Sequence, residues 1–206
     1  MKHKTVIFFI FSATFFLLLT HAVSYEVRFV YDGDTILLDN EDRVRYLGID
    51  APEIDHKFHK DDFMAHDARD FNSKLVNGAT LRLEYDKQKR DQYGRLLAYV
   101  FLKNGKMVND LLVQKGLACV MSKNGNLKYR DFLLNSQRKA MKKRLGIWSR
   151  DFKGDEKFYA GNRGSYLFHR PGCPFGRDIS KKNLVQFGSR YDAFWEGYSP
   201  CRRCRP

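Results

Sequence analysis

The sequence predicts an α+β protein in which a small closed β-barrel with three helices is followed by a C-terminal module. Short runs of alternating apolar residues, bounded by turn residues, occupy the chain up to about residue 150. Longer segments with helical spacing lie between and after these runs. Histidine and cysteine residues then cluster near the C-terminus. Five short strands with embedded helices favour a barrel of the OB type.

The strands are predicted from alternation and from the turns between them. The Asp32-Gly33 pair can turn the chain after the first strand, and residues 40–42 can turn it after the second. The predicted strands are residues 25–30, 35–38, 44–49, 80–85 and 96–102.

The helices are predicted from apolar spacing and from capping residues. Asp61 or Asp62 can cap the first helix, which ends near Gly78. The third helix is long and basic, and Phe132 and Leu133 are predicted on its apolar face. The predicted segments are residues 63–75, 108–114 and 129–145.

The N-terminus has the pattern of a secretory signal. Lys2 and Lys4 precede an uncharged, mostly apolar stretch over residues 6–20, and small residues follow at cleavage spacing. The apolar stretch is shorter than the ~20 residues that span a bilayer. We therefore expect a cleaved signal peptide at residues 1–22, a secreted or periplasmic protein and no stable membrane span. An uncleaved membrane anchor is the alternative.

The chain is strongly basic, with a formal net charge of +13. Removing residues 1–22 takes away two lysines and no acid, which leaves +11. Such a charge indicates either a solvated basic surface or an anionic polymer as partner, because neutralising phosphates releases counterions. Charge alone leaves these two alternatives open, and the motifs described below favour DNA or RNA as the partner of a monomer.

Carboxylates and arginines between residues 32 and 95 form a pattern suited to phosphodiester hydrolysis. Carboxylates hold a hard divalent cation, arginines clamp a phosphate, and a remaining carboxylate acts as a base. Arg45 and Asp50 are five residues apart, so a regular strand would place them on opposite faces. A bend near Gly48 is therefore required.

Residues 25–150 resemble the staphylococcal nuclease family along nearly their full length. The matching blocks come in the family's order and near its spacing. They are residues 32–35, 45–53, 91–95, 105–109, 114–118 and 147–148.

The resemblance implies a barrel of the OB type with three helices that hydrolyses DNA and RNA with Ca²⁺ and leaves 3′-phosphates. Two arginines would clamp the scissile phosphate, and a glutamate would position or deprotonate the attacking water. The implied residues are Asp34, Asp50 and the Ala51 carbonyl as Ca²⁺ ligands, with Arg45, Arg95 and Glu53 as catalytic residues.

Two departures from the family bear on substrate preference. Ala51 stands where the family has threonine, and residues 119–123 lack the aromatic rings that contact the terminal nucleotide in the family. Tyr93 matches and is expected to border the substrate. The reaction should persist, whereas end preference and nucleotide affinity are open.

The C-terminal residues 161–206 are predicted to form a separate module after a charged linker at 151–160. Its H-x3-C and C-x2-C pairs offer four nitrogen and sulfur ligands, which suits closed tetrahedral zinc. Because apolar residues are few, metal binding would supply much of its folding free energy. The alternative is a disulfide, Cys201–Cys204 or Cys173–Cys201. The zinc ligands would be His169, Cys173, Cys201 and Cys204.

This module is similar to the zinc module of the Ada DNA-repair protein, on the ligand spacing, Tyr166 and residues 185–187 and 197–201. His169 stands where Ada has its methyl-accepting cysteine, so methyl transfer is not expected. Arg202 and Arg203 are candidate nucleic-acid contacts, with simple solvation as the alternative.

The sequence as a whole therefore predicts a Ca²⁺-dependent nuclease with a structural zinc module. The alternative is a non-catalytic nucleic-acid-binding barrel. A protein that only binds nucleic acid does not need all the catalytic residues and Ca²⁺ ligands together. Their joint presence therefore favours the enzyme.

Overall fold

The computed structural model describes residues 24–55, 60–122, 125, 128–152 and 156–206. The predicted signal peptide at 1–22 lies outside these residues. Among the residues described, no helix combines the length and apolar character needed to cross a membrane.

The first part of the chain is the predicted α+β barrel. Its main sheet has the strand order β1-β2-β3-β6-β5, with β3 and β6 parallel and the other neighbours antiparallel. Tyr25 and Leu81 exchange two backbone hydrogen bonds of 2.9 and 2.8 Å, which join the start of β1 to β5 and close the sheet. The strands are β1 Val27–Val30, β2 Thr35–Leu38, β3 Arg43–Tyr46, β4 Ile49–Asp50, β5 Leu81–Glu84, β6 Leu96–Leu102 and β7 Cys119–Val120.

The predicted strand at 44–49 is interrupted. β3 ends at Tyr46, and the chain resumes as β4, which leaves the main sheet and pairs antiparallel with β7. Gly48 lies between them with φ of 78°, a conformation that glycine adopts without steric cost. The bend that the sequence requires near Gly48 is confirmed.

Three helices pack against the barrel: α1 Ala65–Val76, α2 Val108–Gln114 and α3 Arg130–Lys142. The predicted capping of α1 is wrong, because the Asp61 and Asp62 carboxylates accept the backbone N–H groups of Asp55 (2.8 Å) and Glu53 (3.1 Å) instead. α3 ends three residues before the predicted Leu145, where Arg144 enters the left-handed region with φ of 52°. Phe132, predicted on the apolar face of this helix, is exposed.

The C-terminal part forms a second small sheet with the strand order β10-β8-β9-β11. β8 starts at Tyr159, within the segment predicted as linker. The elements are β8 Tyr159–Asn162, β9 Leu167–His169, α4 Pro174–Arg177, β10 Leu184–Phe187, α5 Arg190–Trp195 and β11 Ser199–Pro200.

The C-terminal module shares a hydrophobic core with the end of the barrel domain. Trp148, in the 3-10 turn Gly146–Ser149, meets Phe194 edge to face at 5.1 Å between ring centroids. Phe168 meets the same Phe194 ring at 5.2 Å. The module therefore buries more aromatic surface than its composition suggested, and metal is not its only source of stability.

Buried polar contacts fix the orientation of the module. The fully buried Gln137 of α3 accepts the Val120 N–H at 2.6 Å and donates to the Phe194 carbonyl at 2.5 Å. Ser199 Oγ donates to the Val120 carbonyl at 3.1 Å. Because a buried polar group left without a partner is costly, these contacts favour a single docked arrangement.

Candidate active site

Asp34 is held at the start of β2 by a close approach of three elements. A Cβ atom at the preceding Gly33 would lie 2.6 Å from the Ala51 Cβ and 2.7 Å from the Ala68 Cβ, so only glycine fits there. The Asp34 side chain is buried, and its Oδ2 accepts the Ala51 N–H at 2.6 Å. The turn thus brings β2, α1 and the segment after β4 to one point.

Arg45 lies between Asp34 and Asp50, the two aspartates predicted as Ca²⁺ ligands. Its Nη1 pairs with Asp34 Oδ2, and its Nη2 lies 2.5 Å from Asp50 Oδ1. The Ile49 carbonyl also accepts from Nη1 at 3.3 Å. The bend at Gly48 makes this possible, because it turns Asp50 back toward the face of β3 that carries Arg45.

Replacing Gly48 with alanine tests this bend. The left-handed backbone costs an L-residue roughly 1–2 kcal/mol, and the new Cβ would lie 2.8 Å from Leu133 Cδ1. We expect a lower free energy of unfolding in urea and, for the nucleic-acid cleavage that the sequence predicts, a slower rate, since Arg45 and Asp50 would separate.

Gly105→Ala is the matched control for that variant. Gly105 has φ of 81°, and a Cβ atom there meets nothing within 4 Å. It should lose stability through backbone strain alone and keep its cleavage rate. Equal cleavage rates in both variants would show that the bend does not organise the site.

The electrostatics of the site are dominated by an excess of carboxylates. Burial raises the pKa of Asp34, and repulsion by Asp32 and Asp50 adds to it, against the opposing effect of Arg45 and the Ala51 N–H. Burial alone would lower the pKa of Arg45, but the surrounding carboxylates outweigh it and raise the pKa, so Arg45 stays charged.

Glu53 belongs to the same electrostatic group. Partial burial raises its pKa, Asp32 and Asp50 raise it further, and Arg45 and Arg202 oppose them. Its Oε1 lies 3.3 Å from Arg202 Nη2, and Asp50 Oδ1 lies 2.9 Å from the same nitrogen. A raised pKa suits a group that takes a proton.

The donor set fits a hard divalent cation. We call four residues the site carboxylates: Asp32, Asp34, Asp50 and Glu53. Two guanidinium groups face them, those of Arg45 and Arg202, so the carboxylates outnumber the facing cations within the described part of the site. Oxygen ligands in excess of the facing cations suit Ca²⁺, which tolerates irregular geometry.

Arg95 and Tyr93 lie in the loop before β6 and border a cavity that Arg45 also lines. Asp91 Oδ2 accepts from Arg95 Nε at 2.8 Å, and Asp91 Oδ1 accepts the backbone N–H groups of Tyr93 and Arg95. Although burial acts in the other direction, these bonds hold the pKa of Asp91 below its ordinary value. The Tyr93 side chain is exposed beside the Arg95 guanidinium.

We call the space between these residues the site cavity. It has a volume of about 360 Å³, and its lining includes Arg45, Tyr93, Arg95, Met121 and Arg202. Of the sequence-predicted residues, it therefore brings together two arginines from the barrel, the tyrosine and one arginine from the C-terminal module. Arg203 lies elsewhere, with its guanidinium 5.4 Å from the Phe175 ring.

Sequence reasoning missed two features of the site. Asp32 appeared there only as a turn residue, although its carboxylate acts on both Asp34 and Glu53. Arg202 was predicted as a nucleic-acid contact of the C-terminal module, but its contact with Glu53, 149 positions away in the sequence, was not predicted. No local pattern carries a contact over that separation.

The four predicted zinc ligands form one compact cluster. Their ligand atoms all lie within 4.8 Å of one another, and the three cysteines form no disulfide bond. Burial lowers the pKa of His169, which favours the neutral imidazole that binds metal. Burial disfavours the Cys173 thiolate, but backbone N–H groups and the neighbouring thiols outweigh it and lower its pKa. Three thiols and an imidazole at this spacing fit tetrahedral zinc.

Comparisons with known proteins divide the chain in the same way. The family model described as "Staphylococcal nuclease homologue" matches residues 43–150, and the model "Metal binding domain of Ada" matches residues 144–206. The chain is 40% identical to the thermonuclease of Staphylococcus intermedius over 130 residues, 62% of this chain and 77% of that protein.

Two further relatives show similar agreement. The thermonuclease of Staphylococcus hyicus is 37% identical over 129 residues, 61% of this chain and 76% of that protein. Endonuclease YncB of Bacillus subtilis is 40% identical over 138 residues, 65% of this chain and 62% of that protein. The similarity to both covers well over half of the chain.

Proposed function

We propose, because the chain belongs to the staphylococcal nuclease family, that it is a monomeric nuclease of DNA and RNA that requires Ca²⁺ and leaves 3′-phosphates. The observation that carries this proposal is the placement of Arg45 between Asp34 and Asp50, in one cavity with Arg95 and beside Glu53. The C-terminal module would hold a structural zinc ion through His169 and three cysteines.

The chemistry starts from the charge of the substrate. A phosphodiester repels nucleophiles, and its transition state carries more charge on the oxygens around phosphorus, so preorganised cations are the main source of rate. Arg45 and Arg95 would contact these oxygens, and arginine suits the task because its planar group binds two oxygens at once. Ca²⁺ held by Asp34, Asp50 and the Ala51 carbonyl would add positive charge at the same oxygens.

Glu53 would act on the attacking water. The water oxygen forms the new bond to phosphorus as Glu53 takes the proton, the bond from phosphorus to the 5′ oxygen breaks, and that oxygen takes a proton from solvent. The raised pKa of Glu53 brings its basicity closer to that needed at neutral pH. Because Glu53 must be deprotonated to take this proton, the cleavage rate should fall as the pH drops through the raised pKa of Glu53.

A plasmid-degradation assay tests the proposal. The purified protein should degrade plasmid DNA with Ca²⁺ and should not do so with a chelator, and the new ends should carry 3′-phosphates. A protein that binds DNA without Ca²⁺-dependent cleavage would instead be the non-catalytic binding module. Cleavage that leaves 5′-phosphates would overturn the proposed direction of bond breaking.

Export is a separate part of the proposal. The basic and apolar pattern of residues 1–22 supports a secreted or periplasmic protein. N-terminal sequencing of protein recovered outside the cytoplasm should begin near residue 23. An intact Met1 in membrane-bound protein would support the uncleaved anchor.

A further inference from the structure

A second cavity lies between the barrel domain and the C-terminal module. We call it the inter-module groove; its volume is about 520 Å³. Met121 and Ser122 line it from the barrel side, and Tyr166, Leu167 and Pro200 line it from the module. The groove therefore exists only because the module is docked.

The inter-module groove adjoins the site cavity. Met121 and Arg202 line both of them, and Asp50 is part of the wall of the groove. Arg202 stands at the junction with a side chain that is 68% exposed, and its Nη2 contacts Asp50 and Glu53. A charged group there is open to both cavities.

The walls of the groove are held in place by several contacts. Arg130 donates to Ser122 Oγ at 3.2 Å and to the Glu196 carbonyl at 3.1 Å, and its guanidinium lies over the Tyr166 ring at 4.3 Å. Pro200 ends β11 directly before the zinc ligand Cys201. A groove built in this way is formed before a ligand arrives.

The composition of the groove suits a nucleoside. Met121, Leu167 and Pro200 offer apolar surface to a base, and the exposed Ser165 hydroxyl offers a hydrogen bond to its edge. A nucleic-acid strand also has a nucleotide on each side of the scissile phosphate. The site cavity has room for one of them on the side of Arg95 and Tyr93.

We propose that the inter-module groove binds the nucleotide on the other side of the scissile phosphate, and that Arg202 contacts the phosphate backbone between the two cavities. This inference rests on the proposed nuclease function. The C-terminal module is then part of the substrate site, and Arg202 supplies the cation that links its groove to the site carboxylates.

Two variants test the groove. Ser165→Trp fills it from an exposed position in the β8–β9 turn, and Arg202→Ala removes the cation at the junction. Binding is measured by fluorescence anisotropy without added calcium, with a labelled single-stranded DNA decamer and with thymidine 3′,5′-bisphosphate as a competitor. The bisphosphate has a single nucleoside, so it can occupy one cavity at most, and we expect it in the site cavity beside Arg45 and Arg95. Arg177→Ala, an exposed arginine of α4 in the same module, is the matched control.

Ser165→Trp should weaken decamer binding about tenfold, in line with the loss of one bound base. The binding of the bisphosphate should not change. Arg202→Ala should weaken decamer binding to a similar extent and reduce its salt slope by about one unit, as expected for one lost phosphate contact. Arg177→Ala should bind the decamer like the wild type.

Three results would overturn the inference. In the first, Ser165→Trp binds the decamer like the wild type. In the second, Ser165→Trp weakens the binding of the decamer and of the bisphosphate equally, which would place the effect in the site cavity or in the fold. In the third, Arg202→Ala binds or cleaves nucleic acid better than the wild type, which would mean that Arg202 obstructs the site by its contacts with Asp50 and Glu53. Normal Ca²⁺-dependent cleavage with no effect of Ser165→Trp refutes the groove alone, whereas decamer binding without any cleavage refutes the nuclease function alone.

Discussion

Arg95→Ala should lower the turnover number of nucleic-acid cleavage by roughly 10³-fold, the range found when a cation that stabilises transition-state charge is removed. Arg95 borders the site cavity, and its Nε is fixed by Asp91 at 2.8 Å, so its guanidinium is preorganised toward a phosphate. Arg95→Lys should recover only part of the loss, because an ammonium group cannot bind two oxygens in one plane.

The fold should survive this change. Asp91 keeps the backbone N–H groups of Tyr93 and residue 95 as hydrogen-bond donors in the variant. The Arg95 side chain itself borders the site cavity and is not part of the hydrophobic core. Arg82→Ala on β5 removes an arginine outside the site cavity and should cleave like the wild type. If Arg95→Ala cleaves at the wild-type rate, or Arg82→Ala is equally impaired, Arg95 has no special part in the reaction.

Removing zinc should have the second large effect. Structural zinc sites bind with roughly 10–16 kcal/mol, and this free energy is folding free energy. Cys201→Ser should therefore reduce the zinc content and unfold the C-terminal module. Because Trp148 and Phe194 belong to one core, the barrel domain should also unfold at a lower temperature.

Tryptophan fluorescence reports on this directly. The chain has two tryptophans, Trp148 and Trp195, and both pack in the shared core. Their emission should shift to longer wavelength in Cys201→Ser. Cys119→Ala, which removes a buried cysteine outside the zinc cluster, is the matched control and should retain both the zinc and the emission maximum. An unchanged melting temperature in zinc-free protein would mean that the two parts fold independently.

The barrel was predictable because its signals are local. Alternation and turn residues are read within a few positions, and five predicted strands correspond to strands of the sheet. The incompatible spacing of Arg45 and Asp50 even located the bend at Gly48. The start of α1 was missed because Asp61 and Asp62 bind the preceding loop, a competing use of the same carboxylates that local sequence does not reveal.

The relation between the two parts of the chain was not predictable from local patterns. The aromatic residues of the shared core, among them Phe168 and Phe194, are widely and irregularly spaced. The segment therefore looked poor in apolar residues and dependent on metal alone. The contact of Arg202 with the site carboxylates depends on that docking, so the sequence offered the residue and its charge but not its position.

One preparation of the wild-type protein tests the central claim, that a single chain joins a Ca²⁺-dependent nuclease site to a zinc-held module. The measurement is the metal content after exhaustive dialysis under reducing conditions, together with DNA cleavage before and after Ca²⁺ is added. We predict one equivalent of zinc, little retained calcium, and cleavage that appears only with Ca²⁺. Less than one equivalent of zinc, with no cleavage in Ca²⁺, would contradict the account at both sites.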